Sequence, residues 1–417
     1  MDKFGFDEVT SSAGDVQQDA VGSWLTKGGM MDGTDSATAR HEDEAKRNPN
    51  GTADVIDRKG FAELLEDCSS KGTKLKTDDY SAKGKYAIVD QGQQIIAGYT
   101  DQEEGVYSDV PAIIFGDHTR AVKYIDVPFF LGADGTKLLK AKNTGANYKY
   151  LYYALKAAHI PNTGYNRHFK WVKELQFNYP SDEEQIKIVD QLDRLQLLID
   201  KRNEQLNQLD TLIKARFVEM FGDPRFNEYN FEKKMLRDTC KVVTGNTPSR
   251  AVDEYYGDYI EWIKTDNIVS GQLTPTTASE SLSEEGMQVG RTVDEDAILM
   301  ACIAGSVASI GRVCVTDRKV AFNQQINAIV PQEYNTLFLY TLLQISKDYL
   351  VEEINMALKG ILSKSRLEEK TFIVPPMELQ DEFADFVTQV DKLKVAVQES
   401  LDELQTLFDS LMQQYFG

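Results

Sequence analysis

Residues 180–222 read PSDEEQIKIVDQLDRLQLLIDKRNEQLNQLDTLIKARFVEMFG, and residues 375–417 read PPMELQDEFADFVTQVDKLKVAVQESLDELQTLFDSLMQQYFG. A constant offset of 195 lays one on the other without a gap. Pro180 falls on Pro375, Glu183 on Glu378, Gln185 on Gln380, Asp190 on Asp385 and Leu198 on Leu393. Leu206, Leu209 and Leu212 fall on Leu401, Leu404 and Leu407, and Phe221-Gly222 on Phe416-Gly417. Agreement over such a length is an internal duplication, and it must be explained before anything else in the chain.

Both copies read as long helices. In the first, Ile188, Leu192, Leu195, Ile199, Leu206, Leu209 and Ile213 follow a 4-3-4 spacing, interrupted by Arg202. In the second, Phe383, Val387, Val390, Val397, Leu401, Leu404, Phe408, Leu411 and Tyr415 keep the same phase, interrupted by Lys394. A seven-residue apolar repeat with charged flanks predicts coiled-coil pairing, with the two intruding charges setting its register. Proline and acidic residues at the start and glycine at the end suit helix termini. Roughly 38 residues at about 1.5 Å each make rods of about 55–60 Å.

The chain of 417 residues has room for two or three domains, and 41% hydrophobic content allows ordinary cores. Its longest apolar runs are too short to cross a membrane, and no basic-then-apolar signal opens it. Cys68, Cys240, Cys302 and Cys314 are scattered without a C-x-x-C pair. That spacing speaks against a disulfide framework or a zinc site and for a reducing, cytoplasmic setting. A formal net charge of −20 opposes strong, non-specific nucleic-acid binding by the chain alone. If DNA is the ligand, a partner must supply part of the phosphate contact.

The rods divide the rest. Residues 1–57 are poor in large apolar side chains and read as a loosely ordered extension, with helical possibilities at Val16–Leu25 and His41–Lys46. Residues 58–178 predict a mixed α/β globule: a short helix or turn at Phe61–Cys68, strands at Tyr86–Asp90, Gln94–Ala97, Ala112–Phe115 and Ala121–Tyr124, turns at 116–119 and 132–135, and a helix at Tyr148–Ala158. The first rod occupies 179–222. Residues 223–374 repeat the plan, with strands at Tyr259–Ile263, Ala297–Ile303, Ile310–Thr316 and Ile326–Val330, then a helix from Leu337 to Leu343. Leu236-Arg-Asp-Thr-Cys240 echoes Leu64-Leu-Glu-Asp-Cys68, and Leu339-Tyr340 echoes Leu151-Tyr152. The second rod occupies 375–417. The fold class is therefore α+β: two mixed globules separated by two long antiparallel coiled-coil helices, related as a pseudo-two-fold internal repeat.

Catalytic signatures are missing from the text. No phosphate-binding Gly-x-x-x-x-Gly-Lys loop occurs. Phe130-Leu-Gly-Ala-Asp-Gly135 superficially resembles a methyltransferase glycine loop, but its spacing is wrong and a plain turn fits better. No carboxylate cluster suits a metal nuclease. His118 in Gly-Asp-His-Thr has no nucleophile beside it and reads as structural or DNA-contacting, with Asp117 capping a turn.

Groups suited to nucleic acid gather in the globules instead. The first offers Lys71, Lys74, Lys76, Lys83, Lys85, His118, Thr119, Arg120 and Lys123. The second offers Arg250, Lys264, Thr265, Asn267, Arg291, Ser306, Arg312, Asn323, Gln324, Gln325, Lys364 and Arg366. Arg and Lys suit phosphates and guanine edges, and Asn and Gln pair bidentately with adenine. Tyr99, Tyr107 and Trp262 can stack or pack, with packing the default.

The rods, with Pro-x-x-Glu-x-Gln at their starts and Phe-Gly at their ends, resemble those of the specificity subunit of type I restriction–modification systems. Ile113-Ile-Phe-Gly-Asp-His-Thr119 with Phe129-Phe-Leu-Gly-Ala-Asp-Gly135 resembles one target-recognition domain of that family. Thr244-Gly-Asn-Thr-Pro-Ser249, Trp262-Ile-Lys-Thr-Asp-Asn267 and Phe322-Asn-Gln-Gln325 resemble another. The resemblance runs from about residue 60 to the end; the leader before it departs from the family pattern. It implies two globules that each dock one part of a split double-stranded DNA site in the major groove, with the rods as a ruler. It implies two methyltransferase subunits on the rod surfaces outside the seam, S-adenosylmethionine held by them and not by this chain, and a motor-nuclease subunit able to join. The competing expectations are a coiled-coil adaptor whose globules bind protein, and a nuclease built on His118.

Overall fold

The computed structural model describes residues 57–417 except 133–134, 165, 307–308 and 353–359. The expected extension and its two short helices lie outside the described residues, apart from Asp57.

The apolar repeat does form two helices of 40 residues each. Asp182–Phe221 begins on Ser181, whose hydroxyl accepts from Glu184 N, and stops at Gly222, whose φ of +70° no side-chain-bearing residue adopts readily. Met377–Phe416 begins on Pro376. At 1.5 Å per residue each spans about 60 Å. They pack antiparallel, since Arg216 pairs with Glu382 at 2.9 Å while Tyr415, at the far end of the second rod, reaches Gln191 near the start of the first.

The seam is covered unevenly, for a simple reason. Ile188, Leu192 and Ile199, and Phe383, Val387, Val390 and Phe408, are buried. Leu195, Leu206, Leu209 and Ile213, and Val397, Leu401, Leu404 and Leu411, are half-buried. Toward the middle the seam is covered only in part, with Gly271 of the second globule touching it at Lys394, whereas a globule closes over it at each end. Of the two charges expected to set register, Lys394 crosses to Asp210 at 2.8 Å, but Arg202 bonds Gln205 of its own helix at 2.7 Å and does not bridge the pair.

The first globule contains β1 (Arg58–Gly60), α1 (Phe61–Leu64), β2 (Leu65–Asp67), β3 (Tyr86–Val89), β4 (Gly98–Thr100), β5 (Ala112–Gly116), β6 (Val122–Ile125), β7 (Phe129–Leu131), β8 (Thr136–Ala141), α2 (Tyr148–Ala157), α3 (Phe169–Val172) and β9 (Gln176–Asn178), after which the first rod is α4. The second contains β10 (Glu232–Met235), α5 (Leu236–Thr239), β11 (Cys240–Thr244), β12 (Tyr256–Gly257), β13 (Ile260–Ile263), β14 (Ser281–Leu282), α6 (Glu284–Val289), β15 (Thr292–Val293), β16 (Ile298–Ala301), β17 (Val313–Val315), β18 (Val320–Phe322), β19 (Ile326–Pro331), α7 (Thr336–Ile345), α8 (Lys347–Val351), α9 (Lys364–Glu369) and β20 (Thr371–Val374), with the second rod as α10.

Topology reveals the duplication inside the globules, where the text had lost it. A sheet ordered β2-β8-β5-β6 in the first is matched by β11-β19-β16-β17 in the second. The pair β1-β9 is matched by β10-β20, and β4-β3-β7 by β14-β13-β18, to which β12 and β15 add edges. Both globules hold one parallel pair, β3 with β7 and β13 with β18. Two expectations need correction. The strand expected at Gln94–Ala97 forms at Gly98–Thr100, because Asp90 accepts from Gly92 N at 2.8 Å and turns the chain early. The echo of Leu64–Cys68 in Leu236–Cys240 is out of register: Leu65 faces Ala141 and Cys240 faces Pro331 at the ends of matching strands, so Cys240 corresponds to Leu65.

Each globule is seated on one end of the rod pair. Ile188, Val189, Leu192 and Ile199 from α4 and Phe408 and Met412 from α10 join Tyr150, Tyr153 and Phe169 in the first core. At the other end Phe217 and Phe221 of α4 meet Phe338 of α7 and Phe383 of α10, with ring centroids 4.8–6.4 Å apart. Buried aromatic clusters of this kind fix one packing rather than several.

Candidate nucleic-acid interface

The carboxyl ends of the parallel pairs carry the same construction twice. Leaving β7, Gly132 N donates to Val89 O of β3 at 2.8 Å; leaving β18, Asn323 N donates to Ile263 O of β13 at 3.0 Å. Leaving β5, Asp117 N donates to Gly135 O at 2.7 Å; leaving β16, Cys302 N donates to Gln325 O at 2.8 Å. The segments singled out in the sequence therefore converge, Gly116–Thr119 with Gly132 and Gly135 in one globule and Lys264–Asn267 with Asn323–Gln325 in the other.

In the first globule Gln91, which follows β3, organises the turns. Its side chain accepts from His118 N at 3.2 Å, and its carbonyl accepts from the Thr119 hydroxyl. Gly135 has φ +92°, and a Cβ there would stand 2.6 Å from the Gln91 amide oxygen, so glycine is required on both grounds. Arg120, itself at φ +62°, donates to Ile160 O at 3.1 Å. Asp117 is buried and accepts from Phe169 N at 2.7 Å, so its carboxylate serves the start of α3 across the globule and not the local turn expected of it. Lys123 does not face solvent: it is 4% exposed, donates to Asp90 O at 2.8 Å, and lies 3.5 Å from the Asp90 carboxylate. Burial lowers its pKa against the raising effect of Asp90. It is an internal strut and not a DNA contact. Lys71, Lys74, Lys76, Lys83 and Lys85 are exposed; Lys74 bridges to Leu131 beside the turns, while Lys85 is paired with Glu103 at 2.5 Å.

In the second globule the Thr244–Arg250 segment lies across the ends of β13 and β18. Asn246 donates to Val289 O at 2.9 Å and accepts from Arg291 N at 2.7 Å, and Thr247 donates to Gln324. Gly245 passes so near that a Cβ would sit 2.1 Å from Asn323 O. Arg250 lies over Tyr256 at 4.4 Å and Trp262 at 5.2 Å, and pairs with Glu280 at 2.6 Å. Lys264 also lies over Trp262, at 5.2 Å, and pairs with the same carboxylate. Lys264 first and then Arg250 hold the Glu280 carboxyl below its ordinary range. Two cations on one anion above an aromatic surface leave a net positive, stacked pair.

Of the remaining candidates, Asn267 and Asn323 turn inward, at 8% and 6% exposure. Asn267 ties Lys264 N to Thr276 and Thr277, and Asn323 accepts from Gln325 N, so each shapes a loop and does not read DNA. Arg312 donates to Thr265 O at 3.2 Å, and Ser306 is exposed in the adjacent turn. Lys364 and Arg366 stand exposed on α9, just after Leu362 N bonds Cys302 O at 2.9 Å. Gln324 is exposed and Gln325 half-buried. Tyr107 and Trp262 are buried and Tyr99 half-buried, so all three pack. Sequence reading missed Gln91 and Glu280, which no motif marks; Asn246 and Thr247 lay inside a noticed motif. Among the described residues no group of three or more His, Cys, Asp or Glu side chains is placed to hold a metal, and no helix is long and apolar enough to cross a membrane.

Comparison with known proteins agrees with this duplicated plan. The family model for the type I restriction modification DNA specificity domain matches residues 57–211 and again 228–405. The type I restriction enzyme EcoR124I/EcoR124II specificity subunit of Escherichia coli is 24% identical over 357 residues, 78% of this chain and 84% of that one. The HindI specificity subunit of Haemophilus influenzae is 33% identical over 144 residues, 34% of this chain and 30% of that one. A crystal structure of the type I restriction–modification S subunit from M. genitalium covers 88% of this chain and 98% of its own, with a TM-score of 0.54 at 16% identity, a likeness of fold. One domain matched twice, on two globules joined by antiparallel rods, shows that this chain belongs to the type I restriction–modification DNA specificity family, as a specificity subunit with two target-recognition domains.

Proposed function

We propose that each globule docks on one half of a split double-stranded DNA site through the loops at the carboxyl end of its parallel strand pair. The observation that carries this reading is the repeat of the same backbone bonds at Val89/Gly132 and Ile263/Asn323 in globules held at opposite ends of a rigid rod pair. Side chains differ between the two sites, so the halves of the motif differ in sequence. Lys71, Lys74, Lys76 and Lys83 contact phosphate on one side, as do Arg250, Lys264, Lys364 and Arg366 on the other; Gln324 and Gln325 meet base edges.

The chain supplies recognition and its partners the chemistry. Leu198 and Leu212 on the first rod, and their repeat positions Leu393 and Leu407 on the second, are exposed. Each pair is two heptads apart and so shares a face of its rod, giving two equivalent apolar seats for helices of two methyltransferase subunits. Those subunits hold S-adenosylmethionine and transfer its methyl group; a motor-nuclease subunit adds cleavage. Partner contacts to phosphate offset the net charge of −20. The assembly works in the cytoplasm, where its DNA is.

Co-expression with the methyltransferase and mapping of modified bases tests this. The expected result is a split motif of fixed gap, in which Gln324→Ala with Gln325→Ala changes only one half. A stable complex that modifies no DNA would overturn the reading in favour of a protein-binding adaptor.

A further inference from the structure

The globules are attached to the rods unequally. In the first, β3 runs into β4 through residues 90–97; in the second, the matching strands β13 and β14 are joined through the longer stretch 264–280. Part of that excursion reaches the middle of the rods. Three successive carbonyls of it are held by three different elements: Gly271 O by Lys394 Nζ of α10 at 2.8 Å, Gln272 O by the Tyr340 hydroxyl of α7 at 3.4 Å, and Leu273 O by Val315 N of β17 at 2.7 Å.

Lys394 is the junction. Its ammonium also pairs with Asp210 of the first rod at 2.8 Å, and its side chain is only 15% exposed, so one cation ties both rods to the globule. Asp391, one turn earlier, faces the same junction; burial raises its pKa, and Lys394 draws it back. The position 195 residues before Lys394 holds Ile199, buried in the first core, and the repeat position of Asp210 holds Gln405. The first globule therefore has no counterpart of this ion pair.

A globule held only where the rods end can pivot there. Between the aromatic seat at Phe217 and Asp210 the rod advances about 10 Å at 1.5 Å per residue. A second attachment at that distance removes the pivot. We propose that Lys394 is a positioning residue that fixes the tilt of the second target-recognition globule on the rods and thereby the number of unread base pairs between the half-sites. The statement about the gap rests on the split-site reading above.

Two measurements on the full-length protein test it. For distances, spin labels go on exposed positions through Glu285→Cys and Gln414→Cys, with Glu104→Cys and Gln414→Cys reporting on the other globule; the native cysteines are buried. Lys394→Met is expected to broaden the Glu285–Gln414 distribution and leave Glu104–Gln414 narrow, and Lys394→Arg to keep both narrow. For the gap, methylation mapping with the methyltransferase partner is expected to show Lys394→Met accepting the same half-motifs at more than one spacing. An unbroadened distribution, or weaker methylation at one unchanged spacing as a merely structural role would give, overturns the proposal alone. No split motif from the unaltered protein overturns it through its premise.

Discussion

Gln380 Nε2 donates to the carbonyl of Pro375 at 2.8 Å, and 195 residues earlier Gln185 Nε2 donates to the carbonyl of Pro180 at 2.9 Å. Each bond folds the incoming chain back against the first turn of a rod and so fixes the direction in which the rod leaves its globule. The two differ on the oxygen side. Gln380 Oε1 accepts from Asn335 N at the start of α7, whereas Gln185 Oε1 is buried without a partner. The duplicated hinge is completed at one end of the molecule only.

The difference sets unequal costs for one substitution. Gln380→Leu leaves a buried carbonyl and the Asn335 N–H unpaired and should cost about 2–6 kcal/mol, each such orphan being about 1–3 kcal/mol. Gln185→Leu orphans only a partly buried carbonyl and should cost about 1 kcal/mol. Urea unfolding of the two variants checks the order; equal losses would contradict it.

The four thiols give a second expectation. All are buried; burial raises Cys240 to about 11 and Cys302 and Cys314 to about 12, and raises Cys68 as well. Thiolate is the reactive form, so at pH 8 the native protein should leave a disulfide reagent unreacted and release four equivalents only when unfolded. For stability the sign is fixed: a raised folded pKa keeps the thiol contribution whole below about pH 9, the unfolded value, and loses it as pH climbs through 11–12. Buried Tyr150, Tyr153 and Tyr334, also raised by burial, act in the same sense. Unfolding midpoints that hold to pH 8.5 and fall beyond pH 9 are the expected result.

The rods were legible because a heptad repeat needs no partner to be read: burial on one face dictates spacing. The same holds for α2 and α7, where Leu151-Tyr152 and Leu339-Tyr340 do occupy matching positions. Short strands were placed to within a few residues, but Gln94–Ala97 failed because an aspartate turn decided where the strand resumed. The equivalence of the two sites was not legible at all, since it resides in backbone bonds such as those at Val89 and Ile263, which constrain geometry and leave side chains free. Lysine 123 shows the other limit. Its strand alternates in burial, yet only the position of Asp90, just past the end of β3 in the other sheet, reveals that this lysine points inward.

Lys123→Met should accordingly behave as a core change. The side chain leaves Asp90 without its ammonium, and breaking such a part-buried pair from one side costs about 1–3 kcal/mol. Lys83→Ala, at an exposed position, should stay within about 0.5 kcal/mol of the parent. Thermal unfolding separates the two; a stability loss for Lys83→Ala larger than that for Lys123→Met would refute the assignment.

The Arg250–Glu280–Lys264 group allows the DNA reading itself to be tested by salt. Glu280 neutralises part of the charge of the two cations it bridges, so a phosphate that binds them must compete with it. In the complex with the methyltransferase, Arg250→Ala removes one phosphate contact and should lower the slope of log affinity against log salt by about 0.9, weakening all sequences alike. Glu280→Gln should act oppositely, raising affinity for unrelated DNA more than for the cognate site, because the freed cations bind phosphate without reference to bases. Lys123→Met, corrected for stability, should leave the slope unchanged, as that ammonium faces Asp90 and not solvent. A slope unaltered in Arg250→Ala and Glu280→Gln together would place the DNA elsewhere on this globule, whatever the fate of the first.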